Sequence, residues 1–167
     1  MRPPRILVGG IGNIFQGDDA FGVEVAQRLL RRGTDESVCV VDFGIRGYDL
    51  AYALMDGYDA VILVDATQRG GAPGTLYTIE PELKGDEPLD VGAHGLDPAR
   101  VLRMVQALGG QPKCVLVVGC EPAALGGEEG LMGLSPEVEA AIEPAIRMIG
   151  SLVAKLQSRD HEGAVAG

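Results

Sequence analysis

Short apolar runs alternate with helically spaced apolar positions along most of the chain. Ile6, Leu7 and Val8 run into Gly9-Gly10 and predict a first strand over 5–10. A glycine-punctuated loop over 10–17 follows. Apolar residues at 21, 23, 25, 26, 29 and 30 then share one face of a helix over 20–32, which Gly33 closes. The run from Val38 to Val41 predicts a second buried strand over 37–42. Residues 48–55 read as a short helix ended by Gly57, and Ala60 to Val64 as a third strand.

Ala72-Pro73-Gly74 is a turn, and the extra strand expected over 75–79 suits an antiparallel edge. Residues 80–92 are polar and carry Pro81, Gly85, Pro88 and Gly92, so a long, mobile, functional loop is expected there. Asp97-Pro98 places an N-cap and a proline at the start of a helix to Leu108. A last strand is expected over 113–119, then a glycine-rich loop over 126–133. Ser135-Pro136 with Glu137 and Glu139 opens a final helix to about Gln157. Residues 1–157 are thus expected to form one domain, with a disordered tail over 158–167. The alternation predicts an α/β domain: an open, mostly parallel sheet with helices on both faces. In such sheets ligands bind beyond the carboxyl ends of the strands.

Charge narrows the partners. Asp and Glu number 24 against 14 Lys and Arg, a net charge of -10. That excess argues against nucleic acid and against an anionic membrane surface. Aromatic residues are 4% of the chain and Trp is absent, so the core must be built from Val, Ile, Leu and Ala. Cys39, Cys114 and Cys120 form no CxxC and each sits in a Val-rich run. They read as reduced, buried packing thiols, which fits the cytoplasm. No apolar stretch reaches the roughly 18 residues a membrane span needs.

The strand ends carry acids. After the first strand comes Gly10-Ile11-Gly12-Asn13-Ile14-Phe15-Gln16-Gly17-Asp18-Asp19. It begins like a dinucleotide fingerprint, but Phe15 occupies the third glycine position. Asp18 and Asp19 would also repel a phosphate from the helix start. One acid would suffice as an N-cap; two exceed that need. Asp42 follows the second strand and Asp65 the third. His94, between Gly92 and Gly95, precedes a helix that should begin at the same edge. His161 lies in the expected tail. Two carboxylates and an imidazole leave coordination positions open and suit Zn, Ni, Mn or Fe without selecting among them. No GxSxG is present, and cysteine catalysis would need an accessible thiolate.

Ordered motifs join these residues. They are Gly10-Ile11-Gly12-Asn13 with Asp18-Asp19-Ala20-Phe21-Gly22, then Val64-Asp65-Ala66, Pro73-Gly74-Thr75, His94-Gly95-Leu96-Asp97-Pro98 and Gly119-Cys120-Glu121-Pro122. Over roughly 5–156 the chain resembles the NiFe-hydrogenase maturation endopeptidases. The resemblance implies a single three-layer domain with a twisted sheet of about five strands. It implies removal of a C-terminal extension from a nickel-loaded large-subunit precursor. Asp19, Asp65 and His94 would be the catalytic and nickel-contacting residues, and the nickel would be carried by the substrate. Asp18, Asp42, Gly12, Asn13 and Arg46 are the expected supporting or substrate-binding residues. A monomer is expected. Three roles stay open for the set: gripping the precursor's nickel, holding a metal such as Zn that polarises the carbonyl or activates water, and general-base catalysis.

One motif departs from the resemblance. The family commonly has Asp-Gly-Gly-Thr-x-Gly after its second strand; this chain has Asp42-Phe43-Gly44-Ile45-Arg46-Gly47. Phe43, Ile45 and Tyr48 are read either as an apolar contact for a precursor or as ordinary packing. Rival functions are a non-cleaving chaperone for the nickel precursor, a Rossmann-like nucleotide-binding domain, and a purely structural protein.

Overall fold

A computed structural model describes residues 3–81, 97–110 and 113–165, with side chains to 159. His94 and most of the loop expected over 80–92 lie outside the described residues. Five strands form one sheet: β1 (Ile6–Ile11), β2 (Val38–Gly44), β3 (Ala60–Ala66), β4 (Leu76–Ile79) and β5 (Val115–Cys120). Among the described residues four α-helices cover it: α1 (Phe21–Arg32), α2 (Gly47–Leu54), α3 (Pro98–Ala107) and α4 (Pro136–Val165). The strand order is β2-β1-β3-β5-β4. All pairings are parallel except β4 on β5, so β4 is the antiparallel edge strand expected at 75–79.

Alternation along the strands splits the core into two layers. Ile6, Val8, Ile62, Val64 and Val118 pack with Phe21 and Val25 of α1 and Ile142 of α4. Leu7, Ile11, Val61 and Leu63 pack on the opposite face with Phe43, Leu50 of α2 and Leu102 of α3. Helices on both faces complete the three-layer α/β architecture.

The first crossing of helix on sheet is unusually close. A Cβ added at Gly22 would lie 2.0 Å from the Val64 carbonyl oxygen and 2.4 Å from that of Ile11. One at Gly10 would lie 2.2 Å from the Gly22 oxygen. These glycines let the start of α1 rest on the backbone of β1 and β3, which fixes the preceding turn over the strand ends.

Two expectations need correction. The second strand is not fully buried: β2 is an edge strand and Cys39 is exposed. Val38 and Val40 pack toward α1 and α4, so Cys39 between them faces the other way. The last helix also runs past Gln157 to Val165. No Pro or Gly lies between Lys155 and Glu162 to stop it.

Candidate active site

The chain leaves β1 for β2 on one side, then returns past β1 to β3 on the other. This reversal opens a crevice between the carboxyl ends of β1 and β3. Asp19 reaches the crevice from the turn after β1, and Asp65 from the last residues of β3.

The turn that carries Asp19 is built by its own motif. The Asn13 N–H donates to Asp19 Oδ2 at 2.9 Å, and Asn13 Oδ1 accepts from the Phe15 N–H at 2.9 Å. Gly12 has φ 151, and a Cβ there would stand 1.9 Å from the Asp19 carbonyl oxygen. Gly12 and Asn13 therefore position Asp19. A 3-10 turn over Gly17–Ala20 carries the chain into α1.

Asp65 pairs with Gly119 of β5, and its neighbour Val64 packs toward α1 and α4. Asp65 consequently faces the α2–α3 side. Burial holds its carboxyl well above the ordinary carboxylate range, and the negative charge of Asp19 adds to this. A hydrogen bond from the Ala66 N–H offsets part of the shift, while Asp97 raises it further. A cation near Asp19 and Asp65 would relieve their repulsion. Among the described residues no group of three His, Cys, Asp or Glu side chains could hold a metal ion.

Asp18 has a different job from its neighbour. It is 1% exposed, and neither acid caps α1, whose N-cap Ala20 makes no side-chain bond. Asp18 Oδ2 accepts from the N–H groups of Ala123 and Ala124, both at 2.8 Å, and from the Ser135 hydroxyl at 2.9 Å. Its Oδ1 accepts from the Ser135 N–H at 2.7 Å. Burial alone would raise its pKa. The bonds from Ser135, Ala124 and Ala123 outweigh burial and hold it below the ordinary value. Asp18 thus ties the Asp19 turn to the loop after β5 and to the start of α4.

Glu121 is a matching anchor that sequence reasoning misses. It is 5% exposed, and its Oε1 accepts from the Arg69 N–H, the Gly71 N–H and the Tyr77 hydroxyl, each at 2.9 Å. It fixes the connection from β3 to β4 beside Asp65. The available signal is the one that marks Asp42 and Asp65: an acid closing a Val-rich strand.

Asp42 does not join Asp65. It shares its register position with Gly10, as does Val64, so it faces α1. There its Oδ2 accepts from Gln27 Nε2 at 2.9 Å. Arg46 closes the end of β2. It donates to the carbonyls of Asp42 and Phe43 and pairs with Asp49 at 3.3 Å.

Known proteins are similar to this chain in both fold and sequence. A family model described as hydrogenase maturation protease matches residues 23–152. The chain belongs to the hydrogenase maturation protease family. It is 34% identical to a putative hydrogenase maturation protease of Methanocaldococcus jannaschii, over 89% of this chain and 96% of that relative. It is 35% identical to the hydrogenase 2 maturation protease of Escherichia coli, over 87% of this chain and 88% of the other. The structure of the hydrogenase-maturating endopeptidase HybD from E. coli superposes with a TM-score of 0.73 at 33% identity. That match covers 90% of this chain and 93% of HybD.

In this protease the Cys120 thiol, at the end of β5, is buried. Burial, with the charges of Asp18 and Glu121 beside it, pushes the Cys120 thiol up to about 12. So high a value leaves almost no thiolate at neutral pH. Alkylation of the native protease at pH 8 is expected to label exposed Cys39 and to spare Cys120 until unfolding, as read by peptide mass. The protease's departing loop also divides in two. Phe43 is 2% exposed and lies over Gly9, where a Cβ would come within 2.8 Å of its ring. Ile45 and Tyr48 are 56% and 77% exposed, so only Phe43 is core.

Proposed function

We propose that the protease removes the C-terminal extension of a nickel-loaded NiFe-hydrogenase large-subunit precursor, with Asp19, Asp65 and His94 contacting the substrate's nickel. The observation that carries this reading is the Asp19–Asp65 pair. Two acids held at a switch point, one of them destabilised by burial and by its neighbours' charge, suit a positively charged ligand. Carboxylate oxygens with an imidazole nitrogen would leave other positions on that nickel to the precursor's own donors. Gripping the metal would set the scissile bond in place, so that binding of the loaded substrate orders the reacting groups.

A specific observation also favours a proton-transfer role. A carboxyl with a raised pKa can take a proton from attacking water and return it to the leaving amine. In that step water adds to the scissile carbonyl, the C–N bond breaks, and the amine leaves protonated. The acidic surface and unpaired thiols fit action in the cytoplasm, and the protease would work as a monomer. The test is intact-mass analysis of the loaded precursor after incubation with the protease. Loss of the extension is the expected result; a stable complex with no mass change would point instead to a chaperone.

A further inference from the structure

Beside the crevice, α2 and α3 leave an open cleft of about 820 Å³, walled in part by Tyr48, Asp97, Arg100, Val101 and Met104. Its position ties it to the chemistry. Asp97, the N-cap of α3, lines the cleft, and Asp65 faces the same α2–α3 side of the sheet. Its walls carry uncovered apolar surface: Ile45 and Tyr48 line it and are 56% and 77% exposed. Its charge runs against that of the whole protein. Three arginines, Arg46, Arg100 and Arg103, line the cleft against two acids, Asp49 and Asp97, in a chain whose net charge is -10.

These arginines are not equivalent. Arg46 is held by Asp49 and by the carbonyls of Asp42 and Phe43. Arg100 is exposed near the start of α3 and makes no ion pair among the described residues. Its guanidinium offers a planar fork suited to a carboxylate.

We propose that this cleft is a specificity subsite. It seats an extended segment of the precursor near the scissile bond, with an apolar side chain against Tyr48 and Met104 and a carboxylate on Arg100. The inference rests on the function proposed above and names what that site reads. An acidic segment is repelled by the net negative charge of this protein and finds the exposed Arg100 guanidinium here, which favours one register over others.

Processing kinetics on the loaded precursor test the idea with wild type, Arg100→Gln, Arg100→Glu and Asp65→Asn. Arg100→Glu is expected to raise KM about tenfold or more with a much smaller change in kcat, and Arg100→Gln to fall between. Changing the precursor's acids to lysine one at a time should reveal a position that restores KM for Arg100→Glu and weakens wild type. An unchanged KM for Arg100→Glu, or no compensating position, overturns the subsite. Asp65→Asn separates the two claims. If it still cleaves, the Asp65 assignment falls while KM continues to report on the cleft. If even wild type fails to cleave, precursor affinity for wild type against Arg100→Glu decides the matter: a tenfold loss supports the subsite, and equal affinity overturns it.

Discussion

Asp65→Asn is expected to leave a folded protease that has lost its processing activity by roughly 10²- to 10⁴-fold. In the roles proposed above, the asparagine would keep the shape of the side chain but could neither accept a proton nor supply a charged oxygen to a nickel ion. Stability should move the other way. Burial and the charges of Asp19 and Asp97 raise the folded-state pKa of Asp65 above its unfolded value. The folded state therefore holds its proton longer, and stability is lost as pH rises from the unfolded value toward the folded one. At neutral pH that penalty is present in wild type and absent from Asp65→Asn. A melting temperature equal to or above wild type, with activity gone, is the expected pair of results. A lower melting temperature would mean that Asp65 serves the fold.

Asp18→Ala should show the opposite signature. The substitution strands the Ala123, Ala124 and Ser135 N–H groups that donate to the carboxylate. Each stranded donor costs about 1–3 kcal/mol when water cannot reach it. Ala123 is exposed and can rehydrate, so a net loss of about 3 kcal/mol is expected, measured by denaturant unfolding. The pH dependence follows from the lowered pKa. Asp18 contributes stability above the unfolded value, near 3.8, and loses it as pH falls through the lower folded value. The gap between Asp18→Ala and wild type should accordingly begin to narrow below about pH 4 and shrink further as pH falls. Full stability in the variant at pH 7 would show that the clamp is dispensable.

These two adjacent acids mark where sequence patterns reach their limit. Asp18-Asp19 is visible as a charged pair that cannot bind phosphate, yet nothing in the string says that one side chain turns inward and the other toward the crevice. That division depends on the loop after β5, more than a hundred residues away. Alternating elements made the α/β class legible, and the Asp97-Pro98 cap forms as expected, with Asp97 Oδ1 accepting from the Ala99 N–H at 3.0 Å. Strand order was not legible, because local patterns carry no record of which strand lies beside which. The order β2-β1-β3-β5-β4 exposes Cys39 on an edge and puts the switch point between Asp19 and Asp65. Asp42 shows the same limit. It closes a strand as Asp65 does, but a one-residue difference in register sends it to the opposite face and onto Gln27.

The most direct measurement of the central claim compares nickel-loaded with nickel-free precursor in one intact-mass assay, using wild type and Asp65→Asn. Loss of the C-terminal extension only with nickel and only with wild type is the expected result. Cleavage of the nickel-free precursor at an equal rate, or cleavage by Asp65→Asn, would contradict a site that works by engaging the substrate's nickel through Asp65.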